Sequence, residues 1–300
     1  MKRVTTGHLD IAYLAGGPDD GTPLLLLHGW PDDPTGWAGV TAALEAAGYR
    51  WVAPWLRGFG PTRFRSADTL RDGSPVALAQ DALDLADALG WRRFALMGHD
   101  WGGRAAYALA ALVPERLTAM MSLAIGYSPR GRFAVPSLDQ CARWWYQWLM
   151  TSDAGAAEVQ ADPVGFARYQ WETWSPPGWF GEPSFAAAAD SFRNPDWAAI
   201  TLHGYRHRWQ AEPLDASYAA QRARIDAIVS LAVPTLMIQG EADRCDPPEE
   251  SEGQERWFSA GYSRIVLPGV GHFPAREAPR VVADAVLSHL ERHGDGSRTG

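Results

Sequence analysis

Between residues 98 and 102 the chain reads Gly98-His99-Asp100-Trp101-Gly102, after the apolar stretch Arg93-Phe94-Ala95-Leu96-Met97 and before the small-residue, helix-compatible run Gly103-Arg104-Ala105-Ala106-Tyr107. A polar residue flanked by glycines, at the junction of an apolar strand and a helix, marks a sharp turn that presents its central side chain from a strained backbone. A serine in that place would attack an acyl carbon. An aspartate instead attacks a saturated carbon, displaces an oxygen or a halogen, and becomes an ester of the protein. The bland alternative is an ordinary strand-to-helix turn, and three further segments argue against it.

Upstream, Pro23-Leu24-Leu25-Leu26-Leu27 ends in His28-Gly29-Trp30-Pro31, a layout that aims backbone N–H groups at the turn as an oxyanion hole. Downstream, the strand-like run from Pro234 ends at the acid Asp243, and the run from Arg264 ends at His272. Asp246 competes with Asp243 for the role of the acid, and Asp243 is preferred because it sits nearer the strand end. His28 is read as supporting its loop through a hydrogen bond, and His99 as packing behind the site. The chain order nucleophile, acid, histidine is that of the α/β-hydrolase fold.

These residues need a scaffold, and the chain supplies alternating strand and helix signals from residue 23 onward, which imply a mainly parallel sheet flanked by helices. Residues 3–15 alternate in polarity and predict an antiparallel pair at the sheet edge. A helix is expected from Pro34 to Gly48, a strand over Tyr49–Pro54, a glycine-rich loop over Trp55–Gly60, and a helix capped by Ser74-Pro75 that ends at Gly90. Leu117–Ala124 reads as another buried strand, after which the alternation stops. Residues 127–217 hold eight of the fifteen tryptophans with repeated proline and glycine, and are expected to form an inserted helical cap. The catalytic domain is then 1–126 and 218–300. A helix over Ala219–Ser230 leads back into it, an amphipathic helix from Ala275 to Arg292 closes it, and the tail Gly294–Gly300 is expected to be disordered.

A chain of 300 residues with 46% hydrophobic content can bury a full core. Its net charge of −8 argues against nucleic acid or an anionic membrane as partner. No run approaches the roughly 18 apolar residues of a membrane span, so a soluble, cytoplasmic protein is expected. Cys141 and Cys245 are read as free thiols, and neither a cofactor nor a metal is expected. Oligomeric state, monomer or homodimer, is left open.

On these motifs the chain resembles the α/β-hydrolase epoxide hydrolases over nearly its whole length. His28-Gly29-Trp30-Pro31 is similar to their His-Gly-aromatic-Pro loop, Gly98-His99-Asp100-Trp101-Gly102-Gly103 to their nucleophile turn, and Gly271-His272-Phe273 to their histidine loop. The resemblance implies two cap tyrosines that protonate the epoxide oxygen, and Tyr146 and Tyr205 stand where those are expected. It further implies an Asp100 ester hydrolysed by water that His272 and Asp243 activate, with the backbone N–H groups of Trp30 and Trp101 as the oxyanion hole. The substrate is then a small apolar epoxide, with Trp101 and Trp148 against it. His203 and His207 flank Tyr205 and are read as a solvated helix face. Haloalkane and haloacid dehalogenases share the nucleophile and are the alternative, with the indole N–H groups of Trp101 and Trp148 as halide donors. Fluoroacetate-type members carry an arginine after the nucleophile and a His-Trp pair in the cap; this chain has Trp101 and Gln147-Trp148 there, and retains Arg104. A non-catalytic ligand-binding protein on the same fold is the third reading.

Overall fold

Successive residues of a strand point to opposite faces, so a strand that is apolar at every position must be covered on both sides. Thr22–Leu27 is such a strand: Leu24, Leu25, Leu26 and Leu27 are all fully buried, Leu24 and Leu26 in one core cluster and Leu25 and Leu27 in the other. Each buried leucine contributes about 1.5–3 kcal/mol of hydrophobic stabilisation. In the computed structural model, which describes residues 1–128 and 136–293, the same logic extends across one large sheet. The tail expected to be disordered, 294–300, lies outside the described residues.

The strands are β1 (Lys2–Thr5), β2 (Leu9–Gly16), β3 (Thr22–Leu27), β4 (Tyr49–Pro54), β5 (Arg63–Phe64), β6 (Phe94–His99), β7 (Leu117–Leu123), β8 (Thr235–Gly240) and β9 (Tyr262–Leu267). They lie in the order β1-β2-β4-β3-β6-β7-β8-β9, with the short β5 paired to β2. From β4 to β9 every pairing is parallel, while β1 and β2 form the antiparallel edge expected from residues 3–15. On one face pack α1 (Ala38–Ala46) and the C-terminal helix; on the other pack α2 (Pro75–Ala88) and α3 (Trp101–Leu112). Between β7 and β8 come α4 (Leu138–Arg143), α5 (Trp145–Thr151), α6 (Asp153–Ala161), α7 (Pro163–Trp174), α8 (Glu182–Ala189), α9 (Trp197–Arg206) and α10 (Ala219–Ala227). The chain ends in α11 (Pro274–Glu277) and α12 (Pro279–His293).

Two expected boundaries shift for local reasons, and a third, at Ser74, holds without a side-chain cap bond. Pro34–Trp37 is a 3₁₀ turn, its first N–H groups drawn to Asp33, whose carboxylate accepts from Thr35 N at 2.9 Å; the α-helix starts only at Ala38. Ser74 precedes α2 with extended backbone and Pro75 follows in the first turn, yet the Ser74 hydroxyl accepts no helix N–H. The closing helix is split at Ala278, because Pro279 disfavours helical backbone in the residue before it; Ala278 has φ −135° and ψ 53°. No helix among the described residues is long and apolar enough to cross a membrane.

Candidate active site

Strand order reverses beside β3: the chain steps from β3 outward to β4, then returns to β6 on the other side and continues to β7. Open parallel sheets leave a crevice at the carboxyl ends of strands at such a point. The loop after β3 carries Trp30 and the turn after β6 carries Asp100, so both meet there.

Asp100 has φ 47° and ψ −109°, a strained backbone for a residue with a side chain. The flanking glycines make that turn sterically possible: a Cβ on Gly98 would lie 2.2 Å from the Gly102 carbonyl oxygen, and one on Gly102 only 2.1 Å from that of Leu27. Neighbouring backbone then clamps it, with Asp100 N donating to Leu123 O at 3.1 Å and Arg104 N to Asp100 O at 2.9 Å. Its carboxylate accepts the Trp30 backbone N–H at 2.8 Å. The Trp101 N–H opens α3, where helix geometry provides no internal acceptor. The Trp30 loop is braced from three sides. Arg276 grips Asp32 at 2.6 Å, the Trp171 indole N–H donates to Pro31 O at 2.6 Å, and His28 accepts from Leu56 N at 3.1 Å while donating to Gly29 O at 2.9 Å.

His272, on the loop after β9, faces two carboxylates. Its Nδ1 lies 2.9 Å from Asp243 Oδ2, and its Nε2 lies 3.9 Å from Asp100 Oδ2 with no hydrogen-bond partner among the described residues. Asp243 also accepts from Cys245 N at 2.8 Å, Asp246 N at 3.0 Å and Gln239 Nε2 at 3.2 Å. The competitor Asp246 is buried as well, but its carboxylate takes the Cys245 thiol at 3.3 Å. Burial alone would pull the His272 pKa down, yet Asp243, Asp100 and Asp246 together hold it up at about 9. Burial likewise pushes Asp243 up to about 6, with His272 pulling the other way. Asp100 is raised by burial, against the pull of His272, Arg104 and the Trp30 N–H.

The histidine loop is fixed by residues that motif reading missed. The Glu277 carboxylate accepts from Gly271 N at 2.7 Å and Phe273 N at 2.9 Å, and the Ser175 hydroxyl accepts from His272 N at 2.8 Å. His99 donates to His272 O at 2.7 Å, so it packs behind the site as expected. Burial drives the His99 pKa down to about 3, which keeps it neutral. Trp174, at the end of α7, sets its ring edge-on to His272 with centroids 4.8 Å apart.

From α5 and α9, Tyr146 and Tyr205 meet over Trp30. The Tyr146 ring stacks on Trp30 at 5.7 Å, Tyr205 meets it edge-on at 5.0 Å, and the two phenols pack edge to face at 5.3 Å. The Tyr205 hydroxyl oxygen accepts from the Trp101 indole N–H at 3.2 Å, and the Tyr146 hydroxyl oxygen accepts from Gln147 Nε2 at 3.0 Å with the Cys245 sulfur 3.6 Å away. Burial, with nearby acidic groups, raises both phenols well above their ordinary range, so both keep their protons.

Two expectations change. Trp148 is turned elsewhere: its indole N–H donates to Cys141 O at 3.2 Å and its ring lies on Trp209. The reason is helical phase, since it follows Tyr146 by two positions and so faces another side of α5. His203 is buried, not solvated: it accepts from Gly73 N at 3.0 Å, donates to Pro213 O at 3.1 Å and lies 3.5 Å from Asp72. His207 is partly buried and bonds His203 O at 2.8 Å. Cys141 and Cys245 are free thiols. Cys245, Asp246 and His272 each offer one ligand atom, and these atoms lie within 4.8 Å of one another. Burial and the surrounding carboxylates hold the Cys245 thiol well above its usual pKa, so it stays protonated.

The family described as "alpha/beta hydrolase fold" matches residues 22–279. A crystal structure of a Klebsiella pneumoniae protein, described as a candidate epoxide hydrolase, superposes with a TM-score of 0.90 at 37% identity over 97% of each chain. Epoxide hydrolase A of Mycobacterium tuberculosis is 26% identical over 96% of each chain. A haloalkane dehalogenase of Mycobacterium marinum is 31% identical over 81% of this chain and 77% of its own. The chain belongs to the α/β-hydrolase fold family.

Proposed function

We propose that this enzyme opens small, largely apolar epoxides to vicinal diols through an ester at Asp100, with the 127–217 insertion acting as a cap that excludes water. One observation carries the reading: Tyr146 and Tyr205 converge on the Trp30 ring while the Trp30 backbone N–H holds the Asp100 carboxylate. Nucleophile and proton donors thus stand around one residue, Trp30. The candidate and curated epoxide hydrolases among its relatives support epoxide hydrolysis as the overall reaction.

The steps follow from the geometry. Asp100 attacks a ring carbon and the C–O bond breaks toward the phenols, one of which gives its proton to the leaving oxygen. Tyr205 suits this role, because its oxygen already accepts from Trp101 and its own proton has no acceptor among the described residues. Esterification removes one of the negative charges that hold the proton on His272. The imidazolium therefore becomes more acidic, and passing its proton to the tyrosinate leaves both groups neutral. Neutral His272, oriented by Asp243, next takes a proton from water, and the hydroxide attacks the ester carbonyl. The oxyanion forms where the N–H groups of Trp30 and Trp101 point. Collapse releases the diol, and the protons return to restore the starting state.

The dehalogenase relative keeps halide displacement as the competing reading. Halide binding needs free indole N–H groups, whereas Trp101 gives its own to Tyr205 and Trp148 gives its own to Cys141. Intact mass of a His272→Gln variant exposed to styrene oxide and 1-bromohexane separates the two. An ester with the full mass of the epoxide supports this reading. A hexyl adduct alone replaces it with dehalogenation, and ligand binding with no adduct of either kind replaces it with a non-catalytic role.

A further inference from the structure

Helix α7 ends where the sequence reads Trp174-Ser175-Pro176-Pro177. Pro176 disfavours helical backbone in the residue before it, and Ser175 is accordingly extended, with φ −127° and ψ 167°. The last turn of a helix leaves carbonyl groups without partners inside the helix. Here the end of α7 reaches the backbone of three of the loops that carry the site. The Trp171 indole N–H donates to Pro31 O at 2.6 Å, Trp174 O accepts from Arg244 N at 3.0 Å, and the Ser175 hydroxyl accepts from His272 N at 2.8 Å.

The second and third of these bonds hold both halves of the Asp243–His272 pair from one short piece of chain. Arg244 directly follows Asp243, and Trp174 and Ser175 are neighbours, so a single peptide unit ties the acid loop to the histidine loop. The Ser175 hydroxyl is fully buried and works in both directions: its oxygen takes the His272 N–H, and its proton goes to Glu277 Oε1 at 2.7 Å. An apolar side chain of similar size can do neither. Glu277 takes Gly271 N and Phe273 N as well, so three successive N–H groups of the histidine loop end on this serine and this glutamate. The approach is close enough to explain the glycine there, since a Cβ on Gly271 would lie 2.2 Å from Ser175 Oγ.

The two chemical steps differ in their need of this arrangement. Asp100 attacks the ring without His272, whereas hydrolysis needs the imidazole held on Asp243 while it takes a proton from water. Misplacement of such a group by about 1 Å costs about 10²-fold in rate. We propose that Trp174 and Ser175 are positioning residues for ester hydrolysis: they clamp the acid loop to the histidine loop, with Glu277 orienting the serine. By sequence they belong to the insertion, by their bonds to the loops of the sheet body. This rests on the Asp100 ester of the reading above and names the residues that govern its breakdown.

The test mixes native enzyme, Ser175→Ala and Glu277→Gln with styrene oxide, quenches samples in acid over time and follows the ester by intact mass. Ser175→Ala is expected to form the ester within about threefold of the native rate and to hydrolyse it about ten- to a hundredfold more slowly. Because misplacement is not relieved by removing a proton, the ester should dominate in this variant at pH 8 as it does at pH 6. Glu277→Gln should show the same bias at smaller size, and it carries the test if Ser175→Ala does not fold. Equal slowing of both steps, with a lower unfolding midpoint in urea, would make these residues scaffold only and overturns the proposal. Hydrolysis at the native rate in both variants overturns it too. Recovery of native hydrolysis at pH 8 would mean that the serine acts on the proton of His272 rather than on its placement, which also overturns it. No ester on the His272→Gln variant removes the epoxide reading and the role of the clamp with it.

Discussion

Two regions build the site by different means. In the sheet body, Asp100, Trp30, Asp243 and His272 sit on strand-end loops whose backbone is pinned: Asp100 between Leu123 O and Arg104 N, the His272 loop on Glu277 and Ser175. In the helical insertion, Tyr146, Tyr205 and Trp174 are placed by ring packing around Trp30 and His272, with few backbone anchors. Backbone pinning permits little repositioning, whereas packed rings can be exchanged for others of similar volume. On the proposed reading the body encodes the part of the reaction that all substrates share, ester formation and hydrolysis, and the insertion encodes which leaving group is protonated.

The sharpest way to break that division is to remove the nucleophile. Asp100→Asn is expected to lower kcat by about 10⁴-fold or more, the scale on which members of a catalytic unit act, and to abolish the adduct in a His272→Gln background. An adduct that persists on the double variant would move ester formation off Asp100 altogether. In the insertion, Tyr205→Phe and Tyr146→Phe should each cost about 10²-fold in epoxide turnover, typical of a lost general acid, and the pair more than either alone. A rise in KM with kcat unchanged would recast the phenols as mere wall.

How much of this could be read from the chain follows the same division. Asp100, His272 and Trp30 were legible because glycine spacing and strand ends are local signals that survive without a partner. Asp243 was separable from Asp246 only by position, and it took the Nδ1 contact of 2.9 Å to set them apart in space. Trp148 was misplaced because composition shows that a tryptophan is present but not which side of α5 it takes. His203 was misread for a related reason: its partners Gly73 and Pro213 lie far off in sequence or beyond the helix, and nothing at positions 203–207 announces them. Glu277 and Ser175, 102 residues apart yet joined at 2.7 Å, carry no pattern at all.

The charge arrangement of the body gives a prediction of intermediate size. With Asp100 esterified, His272 loses one of the carboxylates that hold it near 9, so its pKa in the intermediate lies below that value. Below it the imidazole is protonated and cannot take a proton from water, so hydrolysis slows by about tenfold per pH unit. Ester formation continues until pH falls through the pKa of Asp100, itself above the ordinary carboxylate value. Between those limits the ester should accumulate as pH falls. Acid-quenched steady-state samples at pH 8, 7 and 6, read by intact mass, should show a rising ester fraction, and a flat profile would remove His272 from the hydrolytic step.

The smallest expected effect tests the insertion where sequence reading and structure part. If Trp148 faced the substrate, or gave its N–H to a leaving halide, Trp148→Phe would damage turnover as much as loss of a tyrosine. Its N–H instead closes a hydrogen bond to Cys141 O, and its ring packs on Trp209. Loss of that bond and of some packing should cost about 1–2 kcal/mol of stability, seen as a lower unfolding midpoint in urea, with kcat and KM for an epoxide within about twofold of native. Equal losses from Trp148→Phe and Tyr205→Phe would mean that α5 presents a different face to the site, and that the insertion tolerates less exchange than its packed rings suggest.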